Sequence, residues 1–414
     1  MKSTNETPSA SNEIDSSRKR EADVKQTEPP KKKKKQDPAE KEEELPMNVP
    51  FKIVDGVRHL SPYWAPYRTR TKGRWIGRKL VEAFSQEFVT FNPNYMKVAT
   101  KLGRIYVNGQ QMTDCDYVMK NADRIEHWGH RHEHPVKDLP IEFIAETEDL
   151  LVVNKPPSLP VHACGQYAIH TVLGQLRLHY GKTGLRVLHR LDRTTSGILL
   201  FAKNYDTDLD FKMTLKAGDW TKEYVCLVEG VFPDGDVVCE QPIGTLVISM
   251  GIQCVRPDGK TAKSIFRRLW TDGKVSACSV QIETGRTHQI RVHAQYLGHP
   301  IVGDTIYNSL VWGDQKGKNA EYGRDFEQLG QAVKDNHRKD LWIETVDPEY
   351  LTPESEDLKP EDRPLYDPVC YNCHAVKKKV PQEHFQLYLH CLKYETEKWS
   401  YSTPLPEWAQ QQTC

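Results

Sequence analysis

The sequence predicts an α+β fold built on a largely antiparallel, mixed sheet. Two observations carry that reading: short apolar runs recur from about residue 140 onward, and few helical patterns separate them.

The chain has 414 residues, enough for one large or two modest domains, with 57 basic residues against 57 acidic ones. Overall charge is therefore silent about nucleic acid, and any basic face must be local. No apolar run approaches a membrane span and the first residues lack a signal peptide's apolar core, so no membrane partner is expected. The ten cysteines then read as reduced thiols of an intracellular protein.

Residues 1–48 are rich in Ser, Glu, Lys and Pro and predict a disordered charged tail. Within it Arg18, Lys19 and Arg20 precede a lysine run at 31–35, a spacing that suits a bipartite nuclear-import signal or a weak RNA-binding arm. Nucleus, cytoplasm or both are the compartments expected.

Residues 49–139 form a front module. Its opening, YWAPYRTRTKGRW at 63–75, interleaves aromatic and basic side chains, either to stack on bases or to clamp onto the rest of the protein. Leu80, Val81, Phe84 and Phe88 recur at helical spacing over 77–88. GRIYVNG at 103–109 reads as a strand ended by an Asn-Gly turn, and 117–126 as a further strand pair.

Residues 140–414 form the larger domain, with a charged insertion at about 313–364. Strands are expected at 141–144 and 150–157, then around Val225, Val237, Leu246, Ser264, Val275 and Ile290. Helices are expected over 171–180, over 206–217 with Leu209, Met213 and Leu215 on the apolar side, and near 326–333. FQLYLHCLKY at 385–394 alternates as a closing strand should.

The stretch HRLDRTTSG at 189–197 sets Asp192 among His189, Arg190 and Arg193, and the apolar run 198–202 follows as a buried strand. A carboxylate there sits at a sheet edge, where burial raises its pKa and a neighbouring arginine lowers it. Alone, this Asp would read as a turn cap. Two more segments change that: TKEY at 221–224, with Tyr224 at a strand entrance, and ETGRTHQIRVH at 283–293, where a glycine turn precedes Arg286.

In order and nearly residue for residue, the three segments resemble the motifs of the RluA-type RNA pseudouridine synthases. GRIYVNG resembles the closing half of the small RNA-binding module that precedes that family's catalytic domain, in degenerate form here. VVNKPPSLPVH at 152–162 resembles its opening motif.

The resemblance implies an isomerase that cleaves the uracil N1–ribose bond, turns the base and joins carbon 5 to the same ribose carbon. Asp192 would act at the anomeric carbon, as nucleophile or as base. Tyr224 would pack on the uracil, and Arg286 would pair with Asp192 and hold it ionised. Arg190 would fill the space left by the extruded base, with Leu191 beside it and His189 as a hydrogen-bonding support. Neither a metal nor an organic cofactor is required.

RNA is the partner implied. The 63–75 stretch resembles that of members acting on uridine 32 in the tRNA anticodon loop, and a monomer is expected. The other readings are an mRNA or rRNA target, or an RNA-binding or chaperone-like protein that no longer turns over. Cys370 and Cys373 form a Cys-x-x-Cys pair, read either as two thiols or as half a zinc site completed from His374, His384, His390 or Cys391.

Overall fold

The computed structural model describes residues 46, 48–87, 94–339, 343–346, 365–380 and 382–411. Nearly all of the predicted tail, Phe88 and most of the 340–364 stretch lie outside the described residues. Among those described, no helix is long and apolar enough to cross a membrane.

The large sheet is assembled around Ser196–Ala202, whose residues from Gly197 onward are buried. Because both faces are covered, the strand is continuously apolar rather than alternating. Across the sheet the order is Asp236–Cys239, Ser264–Thr271, Val275–Ile282, Thr221–Glu229, Leu389–Glu395, Ser196–Ala202, Leu150–Lys155 and Glu142–Glu146. Every pairing along this path is antiparallel except that of Ser196–Ala202 with Leu389–Glu395. The α+β class and mixed, mostly antiparallel sheet follow the sequence expectation.

Two helices cover this sheet. Val172–Tyr180 starts at Thr171, whose hydroxyl accepts from the Gly174 amide at 2.9 Å. Tyr205–Ala217 is capped by Asn204, carries Asp206 and Asp208 in its first turn and ends at left-handed Gly218. The expected apolar side of this second helix is corrected. Phe211 and Asp208 are buried, whereas Leu209, Met213 and Leu215 are exposed, because one large ring fills the contact with the sheet.

A second correction is more consequential. Ile290 lies in a helix, Gln289–Tyr296, not in a strand. Polar and apolar residues alternate along 289–295, but all seven are buried, so the alternation does not mark a half-solvated sheet.

The front module holds a four-stranded sheet ordered Tyr63–Arg70, Arg124–Arg131, Ile105–Val107 and Gln110–Met112, with helices Leu80–Glu87 and Tyr95–Lys101. Asn108 and Gly109 both have positive φ, as a tight hairpin turn requires. The expected strand near Tyr117 is only an isolated Lys79–Val118 bridge. Trp75 is fully buried in this module's core, and Tyr67 stacks on His127 at 5.7 Å. Trp75 and Tyr67 are therefore engaged in packing within the front module itself.

Candidate active site

The loop carrying Asp192 is fixed from three sides. The backbone amide of Leu200 donates to His189 Nε2 at 3.2 Å, and the ring stacks on Tyr394 with centroids 4.2 Å apart. Burial pushes this imidazole down to about 3, so at neutral pH it stays an uncharged acceptor. His189 thus ties the loop to the strand that follows it.

Lys155, fully buried, donates to the carbonyls of Pro156, Leu159 and Arg193 at 2.9, 2.8 and 3.1 Å. It ties the paired-proline turn to the chain just after Asp192. Its placement inside a Pro-flanked motif was visible in the sequence, but its role was not.

Gly197 supplies the third constraint. It has φ +112, and a Cβ there would lie 2.2 Å from the Cys391 carbonyl oxygen. Only glycine lets the strand approach Leu389–Glu395 in parallel register.

Asp192 itself is about one quarter exposed, with its side chain at 27%. Arg291 Nη1 donates to its Oδ2 at 3.0 Å, and His288 Nε2 lies 3.6 Å from the same oxygen. Arg291 is anchored behind by Asp304, which it meets through Nε and Nη2 at 2.7 and 2.8 Å. Asp304 also accepts the amides of Ile306 and Tyr307, both at 3.0 Å. Burial alone would raise the Asp192 carboxyl; the pull of His288 and Arg291, the Arg291 hydrogen bond and the charge of Arg190 outweigh it and hold it below its usual value.

The ion partner of Asp192 is therefore Arg291, and the expected pairing with Arg286 is corrected. Arg286 precedes the helix and turns its Nε to the Thr261 carbonyl at 2.9 Å, although it still lines the cleft. His288 and Arg291 are three apart at the start of Gln289–Tyr296, a spacing that puts them on one face.

His288 takes a left-handed φ of 58, uncommon outside glycine. The Gln253 amide donates to the Tyr307 hydroxyl at 3.0 Å, and that hydroxyl is hydrogen-bonded to His288 Nδ1 at 2.7 Å.

A cleft of about 700 Å³ opens over this group. Its walls carry Arg190, Lys216, Lys222, Arg286 and Arg291 against two acids, Asp192 and Glu283, so a neutral chain presents a local basic surface. Leu191 and Tyr224 give it an apolar floor; both are buried. Burial lifts the Tyr224 phenol well above its ordinary value, reinforced by Cys391 and Tyr394, so it stays protonated at neutral pH. Arg190 is exposed at the rim. The sequence-derived residues thus converge on one cleft, with Arg291, His288, Asp304 and Lys155 added by the structure.

The Cys370–Cys373 pair has other neighbours than those expected. His390 is held by Ser196 and Thr403, and Cys391 sits opposite Tyr224 in the sheet. Instead the His130 and His132 imidazoles meet Cys373 Sγ, and with Cys370 Sγ the four ligand atoms lie within 4.8 Å of one another.

Residues 149–296 match the RNA pseudouridylate synthase family. Uncharacterized protein K07E8.7 of Caenorhabditis elegans is 67% identical over 89% of this chain and 88% of its own. Human pseudouridylate synthase RPUSD2 is 34% identical over 86% of this chain and 74% of its own. The mitochondrial tRNA pseudouridine(32) synthase of Saccharomyces cerevisiae is 35% identical over 90% and 81%. Since the family match runs through both the Asp192 loop and the helix that brings Arg291 to it, and the relatives extend it over most of the chain, this protein belongs to the RluA-type RNA pseudouridylate synthases and is an isomerase of RNA uridine.

Proposed function

We propose that the chain converts uridine 32 of the tRNA anticodon loop to pseudouridine, with Asp192 acting at the ribose anomeric carbon. The observation that carries this reading is the ionised Asp192 in a basic cleft, held by Arg291 and His288. An anionic carboxylate is needed whether it adds to the anomeric carbon or removes a ribose proton. After N1 is released the base turns, carbon 5 bonds to the ribose carbon and gives up its proton, and N1 ends protonated. The substrate and product are isomers, so no atom is gained or lost.

In this proposal Tyr224 and Leu191 retain the detached uracil, and Arg190 occupies the space it left in the RNA. Arg286, facing the cleft but not Asp192, contacts the RNA backbone. The relative named for tRNA position 32 supports the choice of substrate, as does the low cost of splaying out an unpaired loop base. The enzyme acts as a monomer and reaches the nucleus through the basic clusters at 18–20 and 31–35.

The test is tritium release from carbon-5-labelled tRNA and other RNA pools, with the product mapped by carbodiimide stops, for the wild type and Asp192→Ala. Release that depends on Asp192, with a stop at position 32, is expected. A stop elsewhere or only in mRNA or rRNA would replace the substrate, and RNA binding without release would favour a protein that binds but does not turn over.

A further inference from the structure

We propose that His130, His132, Cys370 and Cys373 bind a zinc ion that fastens the late segment 365–377 to the front module. His130 Nδ1 and His132 Nε2 are 3.2 Å apart and lie 3.2 and 3.3 Å from Cys373 Sγ. With zinc bonds of about 2.0–2.1 Å to nitrogen and 2.3 Å to sulfur, a tetrahedral set has edges of about 3.3 Å between nitrogens and about 3.6 Å between nitrogen and sulfur. These three spacings fall within about 0.4 Å of those edges, and Cys370 Sγ lies within 4.8 Å of the other three ligand atoms.

Chain geometry explains why the four groups converge. His130 is the penultimate residue of strand Arg124–Arg131 and His132 follows it by two, so both imidazoles leave the same face. Their rings stand at 84°, which lets the two nitrogens aim at one point. The sulfurs flank the short helical turn Tyr371–Cys373, closed by the Cys373 amide on the Cys370 carbonyl at 3.1 Å.

Outside the quartet, the Asp367 amide donates to Cys373 Sγ at 3.3 Å, a contact that stabilises a thiolate. Asp367 is in turn held by two bonds from buried Arg104 in the front module, at 2.9 and 3.2 Å. Supporting residues thus come from the same two parts of the chain as the ligands.

Two nitrogens and two thiolates in a tetrahedron select zinc over hard cations. With all four positions supplied by protein the site is closed, and none of its residues lines the Asp192 cleft, so the ion's role is structural. About 240 residues separate the histidine and cysteine pairs, and a clip closing so long a loop constrains the unfolded chain strongly. Val369, beside Cys370, is buried in the core formed by Trp75, Leu80 and Ile105, so the clip would secure packing that is already in place.

The test uses the full-length chain without a polyhistidine tag, expressed with added zinc and analysed for metal by mass spectrometry. One zinc per chain is expected. Replacement by cobalt should give tetrahedral d–d bands together with a thiolate charge-transfer band, a readout of the ligand set that needs no variant. Cys373→Ser and His132→Ala should lose the metal, while Cys115→Ser, a cysteine elsewhere in the front module, should keep it. Substoichiometric zinc in the wild type after reconstitution, or a Cys370–Cys373 disulfide in the purified protein, would overturn the proposal.

Discussion

Replacing Arg291 by leucine separates two jobs that this side chain performs. Asp304, whose side chain is fully buried, would keep its two backbone donors but lose its counter-ion. Removing one partner from a buried pair costs roughly 3–5 kcal/mol. At a urea slope of about 3 kcal/mol/M the unfolding midpoint of Arg291→Leu should fall by about 1–1.7 M at pH 7. Adding Asp304→Asn removes the stranded charge and should recover most of that loss.

Activity should behave differently from stability in these two variants. Without Arg291 the Asp192 carboxyl titrates at higher pH, so the acid limb of kcat/KM moves upward in both the single and the double variant. Linkage gives a further sign. Both carboxylates are held below their ordinary 3.8, so their contribution to stability is complete above that pH and is lost as pH falls below it. In Arg291→Leu, protonation of Asp304 relieves the penalty, and the deficit relative to wild type should shrink toward pH 4. Urea titrations across pH, with tritium release at each pH, measure all of this. A wild-type midpoint in the single variant, or activity restored in the double, would refute the assignment of Arg291 as the link between Asp304 and Asp192.

Two other substitutions probe the same loop. Gly197→Ala adds a Cβ at φ +112 against the Cys391 backbone and should cost roughly 2–5 kcal/mol from strain and overpacking, read as a lowered melting temperature; a change below about 0.5 kcal/mol would show the strand pair to be compliant. Arg190→Ala, at the exposed rim, should leave the melting temperature unchanged. Because it removes the residue proposed to fill an unstacked site, worth a few kcal/mol, it should slow folded tRNA by roughly tenfold or more and affect an unstructured oligonucleotide less.

Legibility in the sequence followed the scale of the physics. Asp192, Leu191 and Tyr224 were located by the resemblance of three ordered segments to family motifs, and the sheet brings those segments together. The partner of Asp192 was misplaced because two arginines share one motif, and choosing between them required the helix phase of 289–296. Full burial of that helix erased the amphipathic signal that would have shown it. His130 and His132 escaped notice in the sequence because their meeting with Cys370 and Cys373 spans far more chain than any local pattern reports. Leu209 and Met213 failed for the opposite reason: apolar residues at helical spacing need not face the core when one phenylalanine fills it.

The arrangement around Asp192 also accounts for how a carboxylate can be paired with arginine and still be chemically useful. A guanidinium engaged only with Asp192 would neutralise it and, through two parallel bonds, occupy both of its oxygens. Here Asp304 takes Nε and Nη2 of Arg291, leaving Nη1 alone for Asp192. One cation is thus shared between two carboxylates, and the triad retains a net negative charge. Both Arg291 and His288 approach the same oxygen of Asp192, Oδ2. Asp304, though remote from the cleft floor, therefore serves Asp192 by limiting how much of Arg291 it receives.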